Sequence, residues 1–332
     1  MDTVRWGLIC TAHINRALIP AIRSSKRGQL AAVASRSLES ARAYAQEWEI
    51  PQAFGSYEEL LNSDAVDAVY ISLPNHLHAE WTVKALRAGK HVLCEKPFAL
   101  TVEEVDQMIA ASRESGCALA EAFMYRHHPQ TKIIGEWVRS GRLGDISLVR
   151  AYFSFFMQNR EGNVRLVPEY GGGALWDVGI YPISFCQYVM GGALPEWVAA
   201  TQRIGPTGVD EDFAGLMNFS GNRAAQIGCS FRAPFNTSAE IIGSEGRLVV
   251  TRPFTQMSSP DRALIFYPNE GVPQKIRVPR QELYSGEVED LQDAILDHKP
   301  TYITLQESRN HVQTAQALYQ AAASGQIVSL RG

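Results

Sequence analysis

Three side chains in this sequence of 332 residues stand where proton chemistry can be done. Lys96 sits in Cys94-Glu-Lys-Pro97 at the end of a β-rich run, and Asp177 and Tyr181 stand four apart in Gly171-Gly-Gly-Ala-Leu-Trp-Asp-Val-Gly-Ile-Tyr181. A spacing of four puts two side chains on one face of a helix. A phenol ordinarily titrates at about 10, too high for a base at neutral pH, but a nearby ammonium favours the phenolate and lowers that value. A lysine and a tyrosine brought together would therefore form a proton donor and acceptor, and a carboxylate beside them would orient the lysine or a substrate through a charged hydrogen bond. Each also has a plainer role open to it: a surface charge for Lys96, a packed aromatic for Tyr181, and a favourable helix-start carboxylate for Asp177.

The elements that must position them are legible in the patterning. Up to about residue 120, short β-rich runs alternate with helical periods, the pattern of a parallel sheet wrapped by helices. Strands are expected at Val4 to Ile9, Leu30 to Ala34, Ala68 to Ser72, His91 to Cys94 and Ala118 to Glu121. Ser56 with Glu59, and Thr101 with Glu104, have the spacing of capping boxes at helix starts. Gly28, Gly89 and Gly116 stand where helices should stop, and Pro20 should bend the first helix. In a doubly wound sheet the ligand crevice lies at the carboxyl ends of the strands, which is where Lys96 falls.

Beyond about residue 122 the rhythm changes. A helical stretch leads to a β-rich run from Ser147 to Met157, then to a turn and helix from Gly171 to Met190. Strand candidates follow at Val198 to Ile204, Phe213 to Phe219, Arg223 to Phe231, Ala239 to Ile242, Arg247 to Thr251 and Leu264 to Tyr267, separated by hairpin signals such as Gly243-Ser-Glu-Gly246. Two helices close the pattern, near Val288 to Asp297 and Leu305 to Ala323. The expected fold is an α/β Rossmann domain with a doubly wound parallel sheet over residues 1–122, then an α+β domain with a mostly antiparallel sheet over 123–332.

The first strand runs into Cys10-Thr-Ala-His-Ile-Asn15 and a helix, the place where a dinucleotide's pyrophosphate meets free N–H groups. Cys10, Thr11, Ala12, His13 and Ile14 are thus candidate cofactor contacts, although Cys10, Ala12 and Asn15 replace the glycines of the usual fingerprint, which leaves a simple strand-to-helix turn open. The second strand ends in Ser35-Arg36-Ser37, where an NAD-specific protein usually carries an acidic residue. A hydroxyl and a guanidinium there suit a 2′-phosphate, so NADP is favoured over NAD.

Composition excludes several classes. The formal net charge of −4 and the lack of any basic run leave no stripe for nucleic-acid phosphates. No stretch of 18 apolar residues suggests a membrane span, and the first residues do not have the form of a signal peptide. Five widely spaced cysteines give neither a disulfide framework nor a zinc spacing, no metal site is expected, and the cytoplasm is the expected compartment.

The stretch from Ala88 to Pro97, AGKHVLCEKP, resembles the glucose-fructose oxidoreductase (Gfo/Idh/MocA) family, and Tyr125-Arg-His-His-Pro129 and the glycine-rich segment ending at Tyr181 extend the likeness over nearly the whole length. Within the family the sequence looks most similar to the dimeric dihydrodiol dehydrogenase and NADP-dependent D-xylose dehydrogenase group. The resemblance implies an open-faced second sheet used for association, hence a homodimer or homotetramer. It also implies reversible hydride transfer between the nicotinamide and a hydroxyl or carbonyl of a sugar, cyclic diol or related polyol. It puts Lys96, Tyr181 and Asp177 at the nicotinamide, with either Lys96 or Tyr181 as the immediate proton donor. Ser72, Pro74, Asn75, His78, Glu95, Lys96 and Arg126 complete the implied cofactor set, with His78 equally open to a structural role. Arg165 and Trp176 join the three catalytic candidates at the substrate, Trp176 being either a wall for a sugar ring or a core side chain. A ketosugar reductase of the anhydrofructose or nucleotide-sugar type, a non-catalytic NADP-binding regulator and a redox-neutral enzyme with a permanently held NAD are the alternatives.

Overall fold

Six strands before residue 127 form one sheet: β1 (Val4–Ile9), β2 (Gly28–Ala34), β3 (Gln52–Phe54), β4 (Ala68–Ile71), β5 (His91–Glu95) and β6 (Leu119–Ala122). The computed structural model describes residues 2–255 and 262–330. Every pairing is parallel, in the order β3-β2-β1-β4-β5-β6, so all six strands end on one edge and the order reverses between β1 and β4. Ala-Val-Tyr-Ile of β4 is buried at all four positions, as expected of a strand covered by helices on both faces. β3 is absent from the expected strands because three residues carry no readable period.

The intervening helices are α1 (Asn15–Ser24), α2 (Leu38–Glu47), α3 (Tyr57–Leu61), α4 (His78–Arg87), α5 (Val102–Ser115) and α6 (Met124–His127). Thr101 and Glu104 form the full capping box: Thr101 Oγ1 accepts from Glu104 N at 3.1 Å, and Glu104 Oε2 accepts from Thr101 N at 3.1 Å. Ser56 caps α3, but Glu59 turns to the N–H of Gly55 at 3.0 Å. Gly116 ends α5 in the left-handed region at φ 68°. Pro20 lies within α1, which continues through it to Ser24, and Gly28 opens β2 and ends no helix. Thr101→Ala should lower stability by about 1 kcal/mol, measured as a shift in the urea midpoint, because an orphan N–H of α5 loses its acceptor.

The second sheet follows α7 (Pro129–Arg139) and starts with β7 (Ile146–Ser154). A π turn (Leu175–Gly179) leads into α8 (Ile180–Val189), and then come β8 (Trp197–Ile204), β9 (Asp210–Phe219), β10 (Arg223–Ser230), β11 (Asn236–Gly243), β12 (Gly246–Thr251), β13 (Leu264–Pro268) and β14 (Gln274–Ile276). With β15 (Val328–Ser329) they form nine strands in the order β14-β13-β12-β11-β7-β10-β9-β8-β15, antiparallel except for β7 against β10. On β12, Gly246, Leu248 and Val250 are buried while Arg247, Val249 and Thr251 are not, the period of two of a sheet covered on one face. The other face carries charge: Glu240 receives Arg247 at 2.6 Å and Arg150 at 3.5 Å.

The last helices are α9 (Ser285–Leu296) and α10 (Leu305–Ser324). The chain divides into two compact units, one running to His127 and taking in Glu282–Ser308, the other comprising His128–Gln281 and the chain from Arg309 on. The sequence assigns everything after residue 122 to the second domain, yet α9 packs with the first unit. Ser25 Oγ donates to Gln292 Oε1 at 2.7 Å, and Arg27 pairs with Asp293 at 2.8 Å and Asp297 at 2.7 Å. Gly28 leaves room for it, since a Cβ there would lie 2.5 Å from Gln292 Nε2. An amphipathic period shows that a helix has a buried face but not which sheet it covers, and this assignment depends on that second fact.

Candidate active site

In the first unit, β1 runs into a turn that takes up a glycine's conformation without glycine. Cys10 has φ 94°, and its thiol lies beside the Tyr57 hydroxyl. Burial pushes the Cys10 thiol above its ordinary pKa. Asn15 is fully buried and closes the turn with its side chain: Nδ2 donates to the Cys10 carbonyl at 2.8 Å, and Oδ1 accepts from Ser72 Oγ at 2.7 Å. Ser72 directly follows β4, so this link ties the two strands at the point where the strand order reverses. The N–H groups of His13 and Ile14 make no hydrogen bond among the described residues. A turn held in this shape, opening a helix with unused donors, fits a pyrophosphate without glycines.

Arg36 is exposed at the end of β2, one residue after the buried Ser35. Ser37 is committed to capping α2 by accepting from Ser40 N at 3.1 Å, so the guanidinium stands beside the start of that helix. A cleft of about 330 Å³ lies between the loop, at Thr11, His13 and Arg16, and α2, at Ser40, Tyr44 and Glu47. The cationic side chain and the helix start both suit a 2′-phosphate.

Lys96 follows β5 on the same sheet edge as the Cys10 turn. With β4 between them, β1 and β5 are separated by two strand spacings, about 10 Å. Glu95 accepts from the Tyr70 hydroxyl and, through Oε2, from Lys96 N at 3.1 Å; burial pushes its carboxyl above the ordinary range. His78 is buried, with Nδ1 2.7 Å from the Pro97 carbonyl and Nε2 2.8 Å from that of Leu73, so it braces the Lys96 loop against the loop after β4. Burial pushes its pKa down, and the neutral ring donates to one of the two carbonyls. Pro74 and Asn75, in that second loop, are half-buried.

Two of the expected cofactor contacts have partners within the protein. His78 has both ring nitrogens turned to the backbone, and Arg126, 1% exposed, is paired with Glu307 at 2.8 Å inside the first unit. A position near a helix start in sequence does not reveal which way the side chain turns.

In the second unit the glycine-rich segment is built for close approach. Gly172 and Gly173 donate to the Val167 and Arg165 carbonyls at 3.1 and 2.9 Å, and a Cβ on Gly172 would lie 2.6 Å from the Arg165 oxygen. Arg165 Nε donates to Asp177 Oδ2 at 2.7 Å. The sequence predicts an α-helix through Asp177 and Tyr181; instead Asp177 lies in the π turn and Tyr181 in the first turn of α8. Gly179 allows this, since a Cβ there would meet Cys229 Sγ of β10 at 2.8 Å. Tyr181 packs against Phe153 and Phe254 with ring centroids 5.4 and 5.7 Å away. Trp176, 8% exposed and 5.6 Å from the Tyr319 ring, is a core side chain. Sequence reasoning missed Asp210, which accepts from Leu175 N at 2.8 Å, because its partner lies 35 residues away and no local pattern marks such a pair.

Residues 4–123 match a family described as an oxidoreductase family with an NAD-binding Rossmann fold, and residues 132–249 match a GFO/IDH/MocA C-terminal domain. The D-xylose 1-dehydrogenase (NADP(+)) 2 of Haloferax volcanii is 34% identical over 327 residues, 98% of this chain and 99% of that protein. The trans-1,2-dihydrobenzene-1,2-diol dehydrogenase of Danio rerio is 38% identical over 250 residues, 74% of each chain. Among solved structures, a 3-ketoreductase from Actinomadura kijaniata in complex with NADP and TDP-benzene superposes with a TM-score of 0.89 at 29% identity, covering 96% of this chain and 98% of that one.

Proposed function

The chain belongs to the GFO/IDH/MocA oxidoreductase family, and from that premise we propose that it is an NADP-dependent oxidoreductase acting on a hydroxyl or carbonyl of a sugar, cyclic diol or related polyol. The observation that carries this is the common sheet edge of the Cys10 turn and Lys96: a dinucleotide site and an ammonium meet at the carboxyl ends of parallel strands. The similarity to a D-xylose dehydrogenase and to a diol dehydrogenase supports the substrate class. The match to a reductase holding NADP and TDP-benzene favours a second reading, a nucleotide-sugar ketoreductase.

The N–H groups of His13 and Ile14 hold the pyrophosphate, and Arg36 with the start of α2 holds the 2′-phosphate. Ser72, Pro74 and Asn75 line the same edge. When bound, the nicotinamide supplies or accepts the hydride. Tyr181 gives a proton to the substrate oxygen or takes one from it, and the Lys96 ammonium stabilises the phenolate and binds a substrate hydroxyl. Asp177, held by Arg165, orients the substrate through a charged hydrogen bond.

The direct test is NADPH oxidation over ketoses, aldoses and a TDP-linked ketosugar, with NADP reduction by aldoses and cyclic diols. Silence throughout, with tight cofactor binding, would remove the enzyme reading in favour of a regulator. Preference for the TDP-linked substrate would select the second reading. Arg36→Ala should weaken NADP about tenfold, the loss of one charge-assisted contact, and leave NAD unchanged; equal losses would count against the phosphate role.

A homo-oligomer in the cytoplasm belongs to the same proposal. All five cysteines are free, which suits a reducing compartment, and one face of the second sheet carries the partly exposed side chains of Arg150, Glu240 and Arg247. A monomer in light scattering would remove the association.

A further inference from the structure

The π turn that bears Asp177 does not cap itself. Asp177 N donates to the Gly173 carbonyl at 3.1 Å, but Ala174, the capping position, offers the Leu175 N–H no side-chain acceptor. The acceptor comes instead from β9. Asp210, 2% exposed, takes the Leu175 N–H on Oδ2 at 2.8 Å, while Oδ1 accepts from the Tyr319 hydroxyl on α10 at 2.7 Å. The ring of Tyr319 in turn lies 5.6 Å from Trp176 and 5.5 Å from Phe213. Gly173, at φ 126°, admits the carboxylate: a Cβ there would stand 2.1 Å from Asp210 Oδ1.

Resting on the function proposed above, we infer that Asp210 and Tyr319 are positioning residues that hold this turn in π form and so set Asp177 against Tyr181. The cap is supplied from outside because the local residues must be glycines to reach the Arg165 and Val167 carbonyls, and no polar side chain is left to do it. A turn closed from i to i+5 holds one residue more than an α turn. Relaxation to α geometry moves Asp177 relative to Tyr181 by the rotation of one residue, about 100°. The Arg165 pair with Asp177 would be carried away with it.

The test uses the full-length protein and the best substrate of the panel. Asp210→Ala should lower kcat about tenfold and shift the pH profile of kcat, with the NADPH Kd unchanged. Asp210→Asn, which keeps an acceptor for the Leu175 N–H, should recover most of the rate. Tyr319→Phe should fall between them. Val250→Ala, a buried truncation on β12, is the comparator for lost stability alone and should leave the pH profile in place. Amide exchange at Leu175 should quicken at least about tenfold in Asp210→Ala. Unchanged kcat and exchange in that variant, or an equal pH shift in Val250→Ala, would overturn the inference. A wild type inactive on every substrate would overturn the proposed function instead, and the Leu175 exchange would then decide the clamp by itself.

Discussion

Tyr181→Phe and Lys96→Ala should each cost at least about a hundredfold in turnover while NADPH binding stays within a factor of two, since positioned acid-base assistance contributes on this scale. Phenylalanine keeps the ring that packs on Phe153 and Phe254 and removes only the proton-bearing oxygen, so the loss reads chemistry and not packing. Alanine at Lys96 removes the ammonium while leaving Lys96 N on Glu95 Oε2. If the ammonium acts by stabilising the phenolate, Lys96→Ala should also move the alkaline limb of the pH profile of kcat upward, and Tyr181→Phe should abolish it. Wild-type turnover in both variants would remove the mechanism. Full turnover in Tyr181→Phe alone would make Lys96 the immediate donor.

Acid should weaken the second unit through His128. Its Nδ1 caps α7 by accepting from Gln130 N at 3.1 Å, a role open only to the neutral ring. Burial, and then the charge of Arg262, push its pKa down from 6.5 to about 4. The unfolded chain therefore takes up the proton first as pH falls. The stabilisation from the neutral ring is complete above about 6.5 and is lost on the way down to about 4, to a total of about 3 kcal/mol. His128→Asn retains a capping oxygen without the titration. In urea unfolding the variant should match the wild type near neutrality and become the more stable of the two as the pH falls to about 4. Parallel stability curves for the two proteins would refute the linkage.

Much of this molecule is written in contiguous residues. The period of two in β12 and the Thr101 and Glu104 pair act between neighbours in sequence, and the structure contains them at the expected positions. Lys96 at a strand end was legible for the same reason. Cys10 was harder: a missing glycine argues against a dinucleotide turn, yet Cys10 takes φ 94° regardless, with Asn15 bonded to its carbonyl. The cost of a left-handed residue, about 1–2 kcal/mol, is small beside what a buried network can impose.

By itself, the order of residues determined that there is a parallel sheet with a strand-to-helix turn at its carboxyl edge and a second, largely antiparallel sheet, and it offered a lysine, a tyrosine and an aspartate as candidates for proton transfer. Tertiary structure alone decided that α9 completes the first unit, that His78 and Arg126 face inward, that Trp176 is core, and that Asp177 rides on a π turn capped from β9. The physical reason is range. Helical periods and capping boxes are satisfied within a few residues, whereas the hydrogen bond from Leu175 to Asp210 and the link from Ser72 to Asn15 join residues 35 and 57 apart, and exist only once the chain has closed.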